Sequence, residues 1–339
     1  MKAVWTTRAG GPEVLEVREG PDPAPREGEV RIRVRAAGLN FADIMGRLGL
    51  YPDAPKLPAV MGYEVSGTIE ALGPGSTGPP VGTRVLATTR FGGQADVICV
   101  PALQAIPMPE AMTFEEGAAL PVNYVTAYHA LFRVGALRPR QRVLVHMAAG
   151  GVGIAALQLC RTVEGVETFG TASASKHDAI RAEGCTHPID YRTRDYAAEV
   201  RRITQGRGVD LVLDPLGGKD WRKGYRLLRP AGRLVAYGFA NLAQGERRSV
   251  LVAAREMAQV PIFTPIGLMN DNRSVGGVNI GHLWGETEMM TEEMRALVDL
   301  YARGRIRPRV DAVFPFARAA DAHRQLQSRR NVGKVLLVP

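Results

Sequence analysis

Cysteine is scarce in this chain, with three among 339 residues. Cys99, Cys160 and Cys185 are odd in number, far apart and set in apolar or helical surroundings. A disulfide framework and a cysteine-based metal cluster are excluded, and the three read as buried reduced thiols. Long apolar runs are missing too. No stretch approaches the length needed to cross a bilayer, and Met1-Lys2-Ala3-Val4-Trp5 reads as the start of a strand rather than a signal peptide. The expectation is a cytoplasmic protein, with membrane association allowed but not expected. Acid is in the minority, 34 Asp plus Glu against 43 Lys plus Arg, for a formal net charge of +9. The basic residues are spread along the chain and no basic run alternates with aromatics. A phosphate-rich small molecule therefore fits the excess better than nucleic acid. His129, His146 and His282 each stand alone, without the Ser or Cys neighbour of a hydrolase triad, and read as structural.

What is present is a soluble-type composition, 45% apolar and 23% charged, in a chain long enough for two cores. Its most informative stretch runs from Val143 to Cys160. Val143-Leu144-Val145-His146-Met147 has the apolar, β-branched character of a buried parallel strand. Ile154 to Cys160 is helix-forming, with Ile154, Leu157 and Val163 on one face. Between them lies Ala148-x-Gly150-x-x-Gly153, a dinucleotide fingerprint with Ala at its first glycine position. Small residues let the backbone turn sharply and approach a pyrophosphate, and free helix N–H groups face the anion. A glycine turn alone is weak evidence, but here a strand precedes it and a helix follows.

The remaining chain divides around this element. Residues 1 to 88 alternate short strands with Gly/Pro turns and read as a small β-rich barrel. Val30-Arg31-Ile32-Arg33-Val34-Arg35 alternates with period two, its arginines on a solvated face. A bridging helix is expected from Tyr124 to Phe132. Beyond the first parallel strand, further strands are expected at Glu167 to Gly170, His187 to Asp190, Val209 to Asp214, Gly232 to Tyr237 and Ser274 to Val278. Helical stretches such as Lys176 to Ala182 and Tyr196 to Thr204 separate most of them. That alternation predicts a doubly wound parallel sheet. Val250 to Val260 is expected to be an apolar helix, followed by an unusually apolar loop at 261–269. The tail is read as a helix from Glu286 to Ala302, a strand near Val310, a helix from Ala317 to Ser328 and a strand from Lys334 to Val338, returning to the first domain.

Gly38-Leu39-Asn40-Phe41-Ala42-Asp43, Gly49-Leu50-Tyr51-Pro52 and the Ala148–Gly153 motif resemble the zinc-free quinone oxidoreductase branch of the medium-chain dehydrogenase/reductase superfamily. Gln158–Val163, Gly170–His177 and Asn331–Pro339 are similar to its synaptic vesicle VAT-1-type members. The resemblance covers nearly the whole chain. It implies an α/β fold, with a GroES-like catalytic domain from residues 1–122 and 281–339 and a Rossmann domain from 123–280. It also implies a homodimer through the sixth Rossmann strand. Zinc members carry Cys where Asn40 stands and His where Tyr63 stands, and they add a four-cysteine lobe that is absent here. Amide and phenol are poor zinc ligands, so no metal site is expected.

The resemblance also assigns roles, each beside a plainer one. Asn40 either caps the following helix or bonds the nicotinamide ribose. Tyr51 either fills a loop or lies beside the nicotinamide, and Tyr63 suits a core strand end as well as a cleft. Tyr191 is either packing or an adenosine contact. Asp214 is read as capping Gly217-Gly218, and Asp43 as structural. Asn40, Tyr51 and Tyr63 are the candidate catalytic donors. Asn40, Thr126, Ala149, Gly150, Gly151, Val152, Gly153, Ser173, Lys176, Tyr191, Tyr237, Val278 and Asn279 are the candidate cofactor residues. The second strand ends in Gly170-Thr171-Ala172-Ser173-Ala174-Ser175-Lys176 without the acid that NAD-specific sheets place there, so NADPH is the expected cofactor. Ser173 either caps the next helix or donates to the extra phosphate. The expected activity is reduction of a small hydrophobic quinone or carbonyl-conjugated alkene. The alternatives are enoyl-thioester reduction, or a nucleotide-binding membrane- or lipid-associated role in which the 261–269 loop is the contact surface.

Overall fold

The computed structural model describes residues 1–243 and 245–339. They form two compact units. The first comprises Met1–Val125, Gly245–Arg248 and Ile280–Pro339; the second comprises 126–243 and Ser249–Asn279.

The first unit is β-rich. Its larger sheet runs in the order Val310–Pro315, Lys334–Val338, Glu29–Leu39, Glu64–Leu72, Arg84–Thr88, Ala105–Pro107, with Val97–Pro101 also paired to Glu29–Leu39. Alternation sends Val30, Ile32 and Val34 into a core shared with Val65, Ile69, Val85, Phe316, Val335 and Leu337. The opposite face carries Arg31 and Arg33. It is less solvated than the period-two pattern suggests, because both guanidiniums pair with Glu70 (2.7 and 2.9 Å). A smaller sheet joins Leu15–Glu19, Lys2–Thr6 and Ala59–Val60.

Two glycines decide how closely the large sheet packs around one buried carboxylate. A Cβ on Gly38 would lie 2.6 Å from the carboxyl carbon of Glu64, so only a glycine leaves that side chain its place. Gly333, at φ 97°, turns the chain into the last strand where a Cβ would lie 3.0 Å from the carbonyl carbon of Arg309.

The second unit is a six-stranded parallel sheet in the order His187–Asp190, Glu167–Ala172, Arg142–Val145, Val209–Asp214, Leu228–Ala236, Ser274–Gly277. The third strand in sequence, then second, first, fourth, fifth and sixth is the doubly wound arrangement, and the order reverses between Arg142–Val145 and Val209–Asp214. The mixed α/β class expected from the sequence is therefore the one found.

Local differences have local causes. The bridging helix begins earlier, at Pro121, because proline suits the first helical position. It ends as an α-helix at Tyr128, and His129–Val134 continues as a π-helix in which the Gly135 N–H reaches back to Ala130. The fingerprint helix stops at Cys160, so Val163 lies beyond it, where the Thr162 hydroxyl donates to the Leu159 carbonyl. The apolar stretch at 261–269 is only partly a loop. Thr264 accepts the Gly267 N–H, Pro265 occupies the first turn, and a helix runs over Pro265–Asp271 to a left-handed Asn272. The Ala317 to Ser328 helix opens with a 3₁₀ turn at Phe316–Arg318 before Ala319–Gln327. Cys160 and Cys185 are buried free thiols, whereas Cys99 is only half-buried.

Candidate functional site

The parallel sheet of the second unit carries most of the candidate cofactor residues to one edge. Ala149 to Gly153 follow the first strand, Ser173 to Lys176 the second and Tyr191 the third. Tyr237 follows the fifth, and Val278 and Asn279 the sixth. Residues at the carboxyl ends of parallel strands share that edge because the strands are hydrogen-bonded in register. Thr126 comes from a different element, buried on the helix Pro121–Tyr128.

The fingerprint fits a dinucleotide. Met147 takes a left-handed φ of 51° and Gly150 an extended one before the helix Gly151–Cys160. The first intrahelical bond is from the Ile154 N–H to the Gly150 carbonyl at 2.8 Å; the Gly150 N–H donates to the Met147 carbonyl at 2.8 Å, and the N–H groups of Gly151, Val152 and Gly153 stand at the positive helix end without an intrahelical acceptor. A Cβ on Gly153 would lie 2.7 Å from Ala148 backbone atoms, so that glycine sets how near the helix comes to the strand. At the end of the second strand, Ser173 starts the turn without capping it. Its hydroxyl lies 3.3 Å from that of Ser175. Tyr191 is exposed, which removes the reading of it as core packing.

Where the strand order reverses, sequence reasoning left two groups unconnected. His146 and Asp214 are both fully buried, with His146 Nε2 and Asp214 Oδ2 4.0 Å apart and neither atom hydrogen-bonded. Nδ1 of His146 lies 3.2 Å from the Thr171 hydroxyl, and the imidazole meets Tyr196 edge to face. Asp214 Oδ1 accepts the Leu216 and Gly217 N–H groups at 2.6 and 3.2 Å, so it does cap that turn. Burial pushes the Asp214 carboxyl up to about 7 and the His146 imidazole down to about 4. The signal available in the sequence was a histidine immediately after the first strand, but its partner is set by sheet order.

The candidate donors lie in the first unit, with Asn40 directly after Glu29–Leu39, Tyr63 directly before Glu64–Leu72 and Tyr51 in the loop beyond the helix Phe41–Arg47. Asn40 does not cap its helix through its side chain. Its main-chain N–H donates to Asp43 at 2.7 Å, and its main-chain carbonyl accepts the Asp43 N–H at 3.0 Å. The amide instead accepts from Lys334 Nζ at 2.6 Å and donates to Glu64 Oε1 at 2.8 Å. Lys334 also pairs directly with Glu64, whose other oxygen accepts the Val122 N–H at 2.6 Å. Asp43 accepts the Gly62 N–H at 2.9 Å; burial pushes its carboxyl up to about 7 against the pull of those hydrogen bonds and of Lys334. Tyr63 is buried, tilted against Phe91 and edge-on to Tyr51 with ring centres 6.5 Å apart. Burial, reinforced by Asp43, raises its phenol well above the usual range and keeps it a proton donor. Sequence reasoning missed Glu64 and Lys334 as members of this group. The one local signal was a lysine at the head of an apolar terminal strand.

These donors do not fit a zinc ion. The three cysteines are elsewhere, the ammonium of Lys334 already sits against Glu64, and among the described residues no group of His, Cys, Asp and Glu could hold a metal.

Residues 26–110 match the alcohol dehydrogenase GroES-like domain model, and residues 183–337 match the model of a zinc-binding dehydrogenase. The chain is 50% identical, over its full length and 84% of the relative, to the synaptic vesicle membrane protein VAT-1 homolog of Rattus norvegicus. The structure of the human VAT-1 homolog-like protein superposes with a TM-score of 0.87 at 37% identity, covering 100% of this chain and 98% of that one. Quinone oxidoreductase of Escherichia coli complexed with NADPH superposes with a TM-score of 0.87 at 29% identity, covering 100% of both chains.

The buried imidazole makes stability pH-dependent with a definite sign. His146 stays neutral in the folded protein down to about pH 4, whereas the unfolded chain takes up that proton near pH 6.5. Its contribution is complete above pH 6.5 and is lost as pH falls from 6.5 toward 4, by roughly 3 kcal/mol. Replacing His146 by Asn should reduce proton uptake on unfolding across that window by about one. An unchanged pH dependence in urea titrations of the variant would refute the assignment.

Proposed function

This chain belongs to the medium-chain dehydrogenase/reductase superfamily, and on that premise we propose that it is an NADPH-dependent reductase acting without zinc on small hydrophobic quinones or carbonyl-conjugated alkenes. The observation that carries the proposal is the donor group of the first unit. Asn40 keeps one amide hydrogen unengaged by any described residue, Tyr51 and Tyr63 meet edge to face with ring centres 6.5 Å apart, and none of the three is a thiol, an imidazole or a carboxylate. Such a group can donate hydrogen bonds but cannot act as a nucleophile or hold a metal.

Reduced nicotinamide, when bound, supplies a hydride. The chain's own residues do the rest. Ala149, Gly150, Gly151, Val152 and Gly153 form the turn that receives the pyrophosphate, with the N–H groups of the first helical turn facing it. Ser173 and Lys176 take the ribose phosphate, and Thr126, Tyr191, Tyr237, Val278 and Asn279 line the rest of the cofactor. Asn40 donates to the nicotinamide ribose. Negative charge develops on the acceptor's carbonyl oxygen, where Asn40, Tyr51 and Tyr63 donate hydrogen bonds. A conjugated acceptor spreads that charge, so neutral donors suffice where a simple carbonyl would call for a Lewis acid. Holding the acceptor flat and dry supplies most of the acceleration.

Purified enzyme should oxidise NADPH with quinones and enals, should leave simple alcohols unoxidised, and should keep its rate in strong chelators. Activity lost on chelation and regained with zinc would overturn the scheme. Preference for enoyl thioesters across the same panel would move the substrate class without touching the donors.

Cofactor choice has its own test. The turn at 170–176 holds no acid to repel a phosphate on the adenosine ribose, and Lys176 supplies a cation. Lys176→Ala should weaken NADPH binding by roughly 1–3 kcal/mol and barely alter NADH binding. Equal affinity of the unaltered protein for both cofactors would contradict this.

We also propose a homodimer. Ser274–Gly277 is the last strand of its sheet, and open edges are normally paired or covered. The same unit exposes Leu251, Ile262, Ile266 and Met269, the second at 89%. A two-fold copy pairing along that strand would continue the sheet and cover apolar surface. Light scattering should give twice the chain mass at micromolar concentration. A monomer that instead sediments with liposomes would assign the apolar surface to membrane.

A further inference from the structure

A side-chain amide accepts at one end and donates two hydrogens at the other. It offers a defined donor only when its rotation is locked. Asn40 is locked from both ends by groups that leave no choice of orientation. An ammonium can only donate, so Oδ1 must face Lys334 at 2.6 Å. A carboxylate can only accept, so Nδ2 must face Glu64 Oε1 at 2.8 Å. The second Nδ2 hydrogen is engaged by no described residue. The backbone of Asn40 is pinned as well, through Asp43.

Lys334 and Glu64 are 3% and 0% exposed. A buried ion pair is a poor device for stability alone, since an apolar pair of the same size generally serves as well or better. Here the rest of the terminal strand, Val335 to Leu337, is apolar core. One position departs from the pattern, and its charge ends on the amide of Asn40. Gly38 leaves room for the carboxylate and Gly333 turns the chain so that Lys334 enters the strand.

We propose that Lys334 is a positioning residue. Backed by Glu64, it fixes the Asn40 amide so that the free Nδ2–H, and never the carbonyl oxygen, is presented to the nicotinamide ribose. This rests on the reading of Asn40 as a cofactor contact. Lys334 itself touches neither cofactor nor substrate.

The test is a double-mutant cycle on NADPH affinity, read by fluorescence titration and needing no acceptor substrate. Lys334→Met should weaken NADPH binding about tenfold when Asn40 is present, and by less than about twofold in an Asn40→Ala background. The apolar pair Lys334→Met with Glu64→Met removes the unpaired buried charge. It should recover thermal stability while keeping the tenfold deficit, an outcome a purely structural role does not give. If Lys334→Met alone does not fold, the cycle is run with this pair in its place. A Met pair that restores both stability and affinity overturns the positioning role and leaves the cofactor reading standing. So does a Lys334 effect of equal size with and without Asn40. Unchanged NADPH affinity in Asn40→Ala itself overturns the cofactor reading, and the positioning role with it.

Discussion

The carboxylate of Glu64 is the constraint around which the first unit is built. It accepts from Lys334, from Asn40 and from the Val122 N–H, and so ties together the last strand, the turn after the long central strand and the start of the bridging helix. With both ionised groups buried, neither can be removed alone without leaving an unpaired charge in the interior. Glycine at 38 and at 333 is the local consequence, since each clears space that a Cβ would fill. Asn40 follows the strand that lies between those of Lys334 and Glu64, and Tyr63 directly precedes Glu64 in the chain.

The second unit solves a different problem. Parallel strands put every strand-to-helix turn on one edge, and the fingerprint turn lies where the strand order reverses. Beneath that turn the sheet buries His146 against Asp214, each shifted toward its neutral form by the absence of water. Two neutral groups cost less to bury than an ion pair at 4.0 Å without a hydrogen bond between them. The structure therefore carries two buried acid–base pairs of opposite character. One is charged and directly hydrogen-bonded in the first unit; the other has a neutral imidazole and is open at its facing atoms in the second.

The apolar residues of 250–269 show how composition and architecture part company. Their hydrophobicity is plain from the sequence, which reads Val250 to Val260 as an apolar helix. The structure leaves Leu251 84% exposed and turns Pro265–Asp271 into a short helix with Ile266 and Met269 outward.

Much of this protein was legible in its residues. Strand periodicity located His187–Asp190, Val209–Asp214 and Lys334–Val338 to the residue, because alternation, β-branching and flanking turns are local signals. The spacing Ala148-x-Gly150-x-x-Gly153 announced a nucleotide turn, because the need for small residues there is also local. The missing acid after the second strand was equally visible. What only the tertiary structure decided was which charges meet. Lys334 lies 294 residues from Asn40 and 270 from Glu64 in the chain. His146 finds Asp214 only because the first and fourth strands are neighbours in the sheet. Side-chain identity states what each group can donate or accept. The partner it is given, and hence its protonation and orientation, depends on strand order and on the few glycines that let backbones approach.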